Sequence, residues 1–392
     1  MYLPAFASFP GSSIARHRPR VSRLRGSGPA TSLAVVALLM AAPSLPAQTS
    51  DPAFGGWRFA PEPLASRPAG LGGAYVAVAD AVHAAYANPA GLTLIPAWEL
   101  NASTLRPWAG AAGGGRTLRL GVYVSSLEPW DDTAPGSDAP AVAAEVQEVG
   151  LAAAASLLPR LRFGIAAGSS RLRVRTEPAA PPGAATFAGV SRETVWTAGV
   201  LVDLIGRPRL ASPSLRLGLA YRPGLDWSVD RVAPGRSGET RPVDLRRPSV
   251  VSAGLAWRHS GRWIVSGQAD LIRYREVLRT LDRATAPGTS QAFRLANAVE
   301  PSFGVEWASH LKCGCGNVRL RAGVRGESPG RLRYVGSDPT LARAFPGAPW
   351  RAVSTLGASF VGEYFGRAIR LDLDSADLVR GPHLSVGASV RF

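Results

Sequence analysis

The sequence predicts an all-β chain, a transmembrane antiparallel β-barrel of fourteen strands. Three observations carry that expectation. The last ten residues alternate without a break: Leu384, Val386, Ala388, Val390 and Phe392 fall on one face, and His383, Ser385, Gly387, Ser389 and Arg391 on the other, because successive strand side chains point to opposite sides. An export signal stands at the other end of the chain. Between the two, short alternating runs are joined by connections that alternate long and short, as in barrels with brief periplasmic turns and longer external loops.

Residues 1–47 read as a signal peptide. Arg16, Arg18, Arg20, Arg23 and Arg25 have no acid near them, and Leu33 to Ala42 form an apolar run that ends in small residues. That layout places cleavage after Ala47, and the run is too short to span a bilayer. No later segment is long and apolar enough for a membrane helix, so the chain can cross a membrane only as a closed barrel. The formal net charge of +16 raises the question of nucleic acid. Five of those charges leave with the signal peptide, however, and the remaining basic residues, all Arg except Lys312, are scattered at strand period. A phosphate-binding run would group on one element, so nucleic acid is not an expected partner.

Thirteen runs are visible in order: 97–106, 116–126, 144–157, 161–175, 193–204, 214–229, 249–258, 263–275, 298–309, 317–326, 351–361, 368–377 and 383–392. Most have roughly the 9 to 11 residues that a tilted strand needs to cross a bilayer. Several divide cleanly into two faces. Val318, Leu320, Ala322 and Val324 oppose Arg319, Arg321, Gly323 and Arg325; Ile369, Leu371 and Leu373 oppose Arg370, Asp372 and Asp374. Leu215, Leu217, Leu219 and Tyr221 likewise oppose Arg216, Gly218, Ala220 and Arg222. An apolar outside with charges within suits a membrane barrel and inverts a soluble sandwich. The long connections are 177–192, 230–248, 276–297 and 327–350; the short ones are 158–160, 205–213, 259–262, 310–316 and 362–367. Single-chain barrels usually have even strand counts, which places the fourteenth strand in the Gly-rich stretch Trp108 to Gly115.

Ahead of the first strand lies a segment without alternation, Arg67 to Leu92. It contains Gly70-Leu71-Gly72-Gly73-Ala74-Tyr75, then Val78-Ala79-Asp80, then Asn88-Pro89-Ala90-Gly91-Leu92. This pattern resembles the N-terminal region of FadL-like outer-membrane proteins, which include the FadL/TodX hydrocarbon transporters and the PorV/PorQ proteins. It covers about 25 residues. The chain differs from the usual form in having Ala81 where a second acid often follows Asp80, and Ala87 where an aromatic often precedes the Asn. The resemblance implies a barrel over residues 97–392 whose lumen is blocked by an N-terminal hatch at 48–96. It also implies passive uptake of long-chain fatty acids or other hydrophobic small molecules, without a cofactor. A PorV-like role in binding secreted cargo or secretion machinery is the alternative that the same motif allows.

The hatch residues also have a physical rationale. Gly70, Gly72 and Gly73 permit a tight turn close to the barrel wall. Pro89 forces an extended conformation on Asn88, whose side chain can cap a turn. Asp80 and Gly91 complete the candidate set, which a small-residue helix with a Gly start and a Pro stop would also explain.

Arg319, Arg321, Arg325, Arg370 and Arg391 are expected to face the lumen. There they could hold a ligand carboxylate through paired, charge-assisted hydrogen bonds, or pair across strands with Asp372, Asp374 and Glu306. Cys313 and Cys315 sit in a short periplasmic turn, where a disulfide and a plain turn of small residues both fit. Two thiols without further cysteines or nearby histidine pairs do not make a zinc site. Asp80 and His83 could exchange a proton or could simply cap a helix, and no nucleophile elbow is present, so no catalysis is expected. Trp98, Trp108, Trp196, Trp257, Trp263 and Trp307 are expected at strand ends or on the outer face, as in interfacial belts. Phe392 is the expected insertion signal. The partners implied are outer-membrane lipid, a hydrophobic ligand, the barrel-assembly machinery and, on the alternative reading, secretion proteins.

Overall fold

A computed structural model describes residues 65–104, 107–115, 117–127, 142–176, 186–206, 213–232, 240–278, 289–313, 315–378 and 383–392. The signal peptide and the first part of the expected hatch, 48–64, lie outside the described residues. Eighteen strands are assigned among those described. They are β1 (Glu99–Ser103), β2 (Trp108–Gly114), β3 (Leu118–Leu127), β4 (Val142–Leu158), β5 (Leu161–Thr176), β6 (Thr186–Ile205), β7 (Ser214–Arg222), β8 (Leu225–Val232) and β9 (Thr240–Arg247). The rest are β10 (Val250–His259), β11 (Trp263–Ile272), β12 (Phe293–Arg294), β13 (Ala298–His310), β14 (Asn317–Glu327), β15 (Arg333–Tyr334), β16 (Arg351–Tyr364), β17 (Arg367–Ala376) and β18 (His383–Arg391).

Fourteen of these close into one antiparallel barrel, running from β1 through β7, then β10, β11, β13, β14, β16, β17 and β18. The seam is the pairing of β18 with β1, with Arg391 opposite Glu99 and Val390 opposite Leu100. The strand hidden in the Gly-rich stretch is present as β2, pairing Ala111 with Leu100 on one side and with Val122 on the other. Closure leaves no free edge, the condition for backbone polar groups inside a bilayer.

Several expected runs are altered: β1 is only Glu99–Ser103, and β6 begins at Thr186, inside the expected loop 177–192. The run 214–229 is interrupted at Pro223-Gly224: β7 ends at Arg222, and β8 starts at Leu225, because Pro has no N–H to offer a ladder. β8 continues along β6, with Ala188 opposite Asp230, and turns back as β9. The expected long loop 230–248 is therefore largely a hairpin. The run 263–275 stops at Ile272, where β11 ends.

Alternation divides the wall as expected. On β18, Leu384 and Val386 are more than half exposed, whereas Ser385 and Ser389 are buried. Leu118, Leu120, Val122 and Val124 on β3, Leu151 on β4, Phe303 on β13 and Leu371 and Leu373 on β17 are also exposed. These make an apolar outer band, while charged and small residues line the interior. The short connections, 159–160, 260–262, 311–316 and 365–366, share the end where Phe392 N donates to Trp98 O at 2.9 Å. This is the periplasmic end by the loop-length rule. At the opposite end Val146, Leu172, Val195, Trp227, Val229 and Leu245 form an apolar cluster between the extended strands and the β8–β9 hairpin. A second cluster, of Val277, Phe293, Leu332, Ala344 and Phe345, holds the long connections together.

Candidate functional site

Residues 65–96 lie inside the barrel and form a plug. Its helical turns are Ser66–Gly70, Ala84–Ala87 and a 3-10 turn at Pro89–Leu94. Pro89 opens the last of these, where its missing N–H is not needed, and Asn88 before it is extended, with φ −154°. The Asn88 amide donates to Val76 O at 2.8 Å and to Val200 O of β6 at 3.2 Å. One side chain thus ties two parts of the plug to each other and to the wall. Gly72 and Gly73 have φ of +64° and +88°; a Cβ on Gly72 would stand 2.7 Å from Val324 N of β14. Chain reversal and close approach both demand glycine there.

Arg67 is the plug's main polar anchor. It is 1% exposed and donates from Nε to Glu306 Oε2 at 2.8 Å and from Nη2 to Oε1 at 3.0 Å, a bidentate pairing with β13. Its Nη1 pairs with Asp80, which also receives Arg258 of β10. Burial favours the neutral acid, but Arg67 and Arg258 overcome it and hold the Asp80 carboxyl well below the usual carboxylate range. Asp80 is therefore held as a carboxylate between two guanidinium groups. The His83 Nε2 faces Asn101 Oδ1 at 2.8 Å. Burial, aided by Arg370, pushes the imidazole down to about 3, which keeps it neutral at ordinary pH.

The remaining anchors include neutral groups and further guanidinium groups, among them Arg216, which donates to Ala77 O and Val78 O. Gln268 Oε1 accepts the N–H groups of Tyr75 at 2.9 Å and Val76 at 2.7 Å. Thr355 Oγ1 donates to Gly70 O at 3.1 Å. Arg222 lies 3.5 Å from the centroid of the Tyr86 ring and donates to Tyr86 O at 3.1 Å.

The five lumenal arginines singled out from the sequence all have protein carboxylates as partners. Arg321 contacts Asp374 and Asp372, each at 3.0 Å. Arg370 contacts Asp372 at 2.9 Å, Arg391 contacts Glu99 at 2.7 Å, Arg319 contacts Glu306 at 3.2 Å, and Arg325 pairs with Glu327. These pairs cross-brace the wall beside the plug. Cys313 and Cys315 are joined in a disulfide within the exposed turn between β13 and β14. Among the belt candidates, Trp98, Trp257 and Trp263 are exposed, but Trp108 is buried at 2%. It faces inward, 4.6 Å from the His83 ring. The Gly-rich strand that carries it has no alternation from which to read its face.

Two cavities lie on the long-loop side of the plug. The inner one, about 100 Å³, is bounded by Tyr75, Val76, His83 and Tyr86 of the plug and by Trp108, Thr197, Tyr221, Val250, Ser252 and Asp270 of the wall. Its wall residues Arg222, Val250, Asp270 and Arg325 sit near the outer ends of their strands. The outer one, about 470 Å³, is bounded by Leu295, Ala298, Pro329, Arg333 and Trp350 of the long connections. Sequence reasoning placed Arg222 on an inner face but gave no role to it or to Gln268, Asp270 and Tyr86. Apolar and aromatic linings with a few placed polar groups are the usual composition of small-molecule sites.

A plugged fourteen-stranded barrel with an apolar exterior is an outer-membrane-type barrel fold. No family model and no curated protein matches the sequence. Among solved structures, the chain is similar to a Pseudomonas aeruginosa FadL homologue, at 12% identity and a TM-score of 0.58 over 85% of this chain and 98% of that one. It is also similar to the CymD monoaromatic hydrocarbon channel, at 14% identity and TM-score 0.54 over 83% and 96%. The Ralstonia pickettii toluene transporter TbuX follows at 14% identity and TM-score 0.51 over 84% and 98%. The fold is thus the FadL-like one, with which the motif between Gly70 and Leu92 agrees.

Proposed function

We propose that this chain is a passive channel of the bacterial outer membrane that admits hydrophobic small molecules, long-chain fatty acids or smaller compounds. The observation that carries the reading is the pair of cavities beyond a lumen-filling plug, one among the long connections and one against the plug itself. Beyond the described part of the plug an apolar molecule finds successive surfaces that favour it. Two of the structural relatives, a monoaromatic hydrocarbon channel and a toluene transporter, support this class of cargo. No such support attaches to the docking of secreted cargo. The outward energetics require no cofactor, since movement follows the concentration gradient.

Liposomes bearing the protein should take up labelled oleate or toluene faster than empty liposomes. Equal rates for both cargoes would overturn the proposal. Purification of the chain in a stable complex with a secretion apparatus would favour the PorV-like reading instead.

A further inference from the structure

The inner cavity carries a selectivity that its apolar lining alone does not explain. Asp270 of β11 lines it, together with Ser252, its cross-strand neighbour on β10. Among the described residues no guanidinium forms an ion pair with Asp270. Its carboxylate accepts neutral hydrogen bonds, from Gln268 Nε2 at 2.9 and 3.1 Å and from the Ser252 side chain. Gln268 is held in turn by the two plug N–H groups it accepts, so the acid is fixed in place from the plug side. The other charged lining groups are already engaged: Arg325 donates to Glu327, and Arg222 lies over Tyr86. The lining also includes three aromatic rings, Tyr75, Tyr86 and Trp108.

We infer that this cavity selects ring-sized neutral molecules that carry one hydrogen-bond donor, an aromatic O–H or N–H, and that Asp270 is the specificity-determining residue. The inference rests on the channel reading and narrows its cargo. Its volume of about 100 Å³ is of the order that accepts a single benzene-sized ring, roughly 150 Å³ in an engineered cavity, and is far too small for a long acyl chain. A bare hydrocarbon would leave the carboxylate's outward lone pairs unmatched, and a carboxylate ligand would face a like charge. A donor satisfies the acid while the ring stacks among the aromatic side chains.

The test is calorimetric titration of the detergent-purified full-length mature protein with phenol, toluene and benzoate. A hydrogen bond to a charged group contributes about 1.5–3 kcal/mol, so phenol should bind roughly 10- to 100-fold more tightly than toluene, and more tightly than benzoate. Asp270→Leu should bring the phenol-to-toluene ratio to about one. Asp270→Asn, which keeps shape and an acceptor, should leave a reduced preference. Retained heat-modifiable migration would show that each variant barrel is folded. Phenol and toluene binding alike in the wild type, benzoate binding most tightly, or an unchanged ratio in Asp270→Leu would each overturn the donor selectivity while leaving the channel reading intact. Absence of binding by all three would overturn the cavity as a binding station and, with failed liposome uptake, the channel reading too.

Discussion

At the scale of single residues, the plug is held by a few buried polar groups, each with a defined partner. Arg67 is the clearest case, because it joins Asp80 of the plug to Glu306 of the wall. Removing one member of a buried ion pair costs about 3–5 kcal/mol. The lower end applies here, since Glu306 keeps Arg319 and Arg321 nearby and Asp80 keeps Arg258. Arg67→Ala should therefore lower hydrogen-exchange protection of plug amides by roughly a hundredfold, with the wall strands little changed. His83 gives the site a pH dependence. Its folded value of about 3 lies below the ordinary imidazole value of about 6.5, so between the two the unfolded plug binds more protons. The stabilisation is complete above pH ~6.5 and is lost as pH falls toward 3, with a limiting slope on the order of 1 kcal/mol per pH unit. Plug protection should fall between pH 6.5 and 4.5 in the wild type, and His83→Gln should flatten that fall.

At the scale of elements, the wall makes room for the plug by placing glycine wherever plug backbone comes closest. Gly304 of β13 and Gly323 of β14 are cross-strand partners, and both face Leu71, with Gly72 also against Gly323. Gly218 faces Val76 and Ala77, Gly164 faces Pro89 and Ala90, and Gly199 faces the Asn88 side chain. A larger side chain at one of these positions must push the plug away, because the neighbours are mostly backbone and cannot yield cheaply. Gly323→Leu should assemble as a barrel yet leave the plug unseated, read as new ion conductance in planar bilayers. Conductance unchanged from wild type would show that the plug tolerates the side chain.

Much of this organisation is legible in the sequence, and the rest is not for definite reasons. Alternation has a fixed period, so most strands, their faces and the loop parity can be read directly, whereas the strand between Trp108 and Gly115 follows only from the even count. The interruption at Pro223-Gly224 could have been inferred from Pro alone, but the return of β9 along β8 depends on pairing that no local pattern encodes. Which residues meet across the lumen depends on the stagger of the closed sheet. That is why Arg67 with Glu306, Gln268 with the plug N–H groups, and the inward turn of Trp108 emerge only in three dimensions.

At the scale of the whole molecule, the barrel presents apolar side chains to lipid and gathers its charges inside, with Arg319, Arg321, Arg325, Arg370 and Arg391 each beside an acid. The pairs brace the wall, the plug fills the lumen, and the cavities remain on the long-loop side. The most direct test of this arrangement measures two fluxes on one preparation of proteoliposomes: entry of a labelled hydrophobic compound and leakage of ions. The account predicts entry of the hydrophobic compound well above that of empty vesicles, with ion leakage no higher than theirs. Ion leakage typical of an open pore, or hydrophobic entry no faster than through lipid alone, would contradict it.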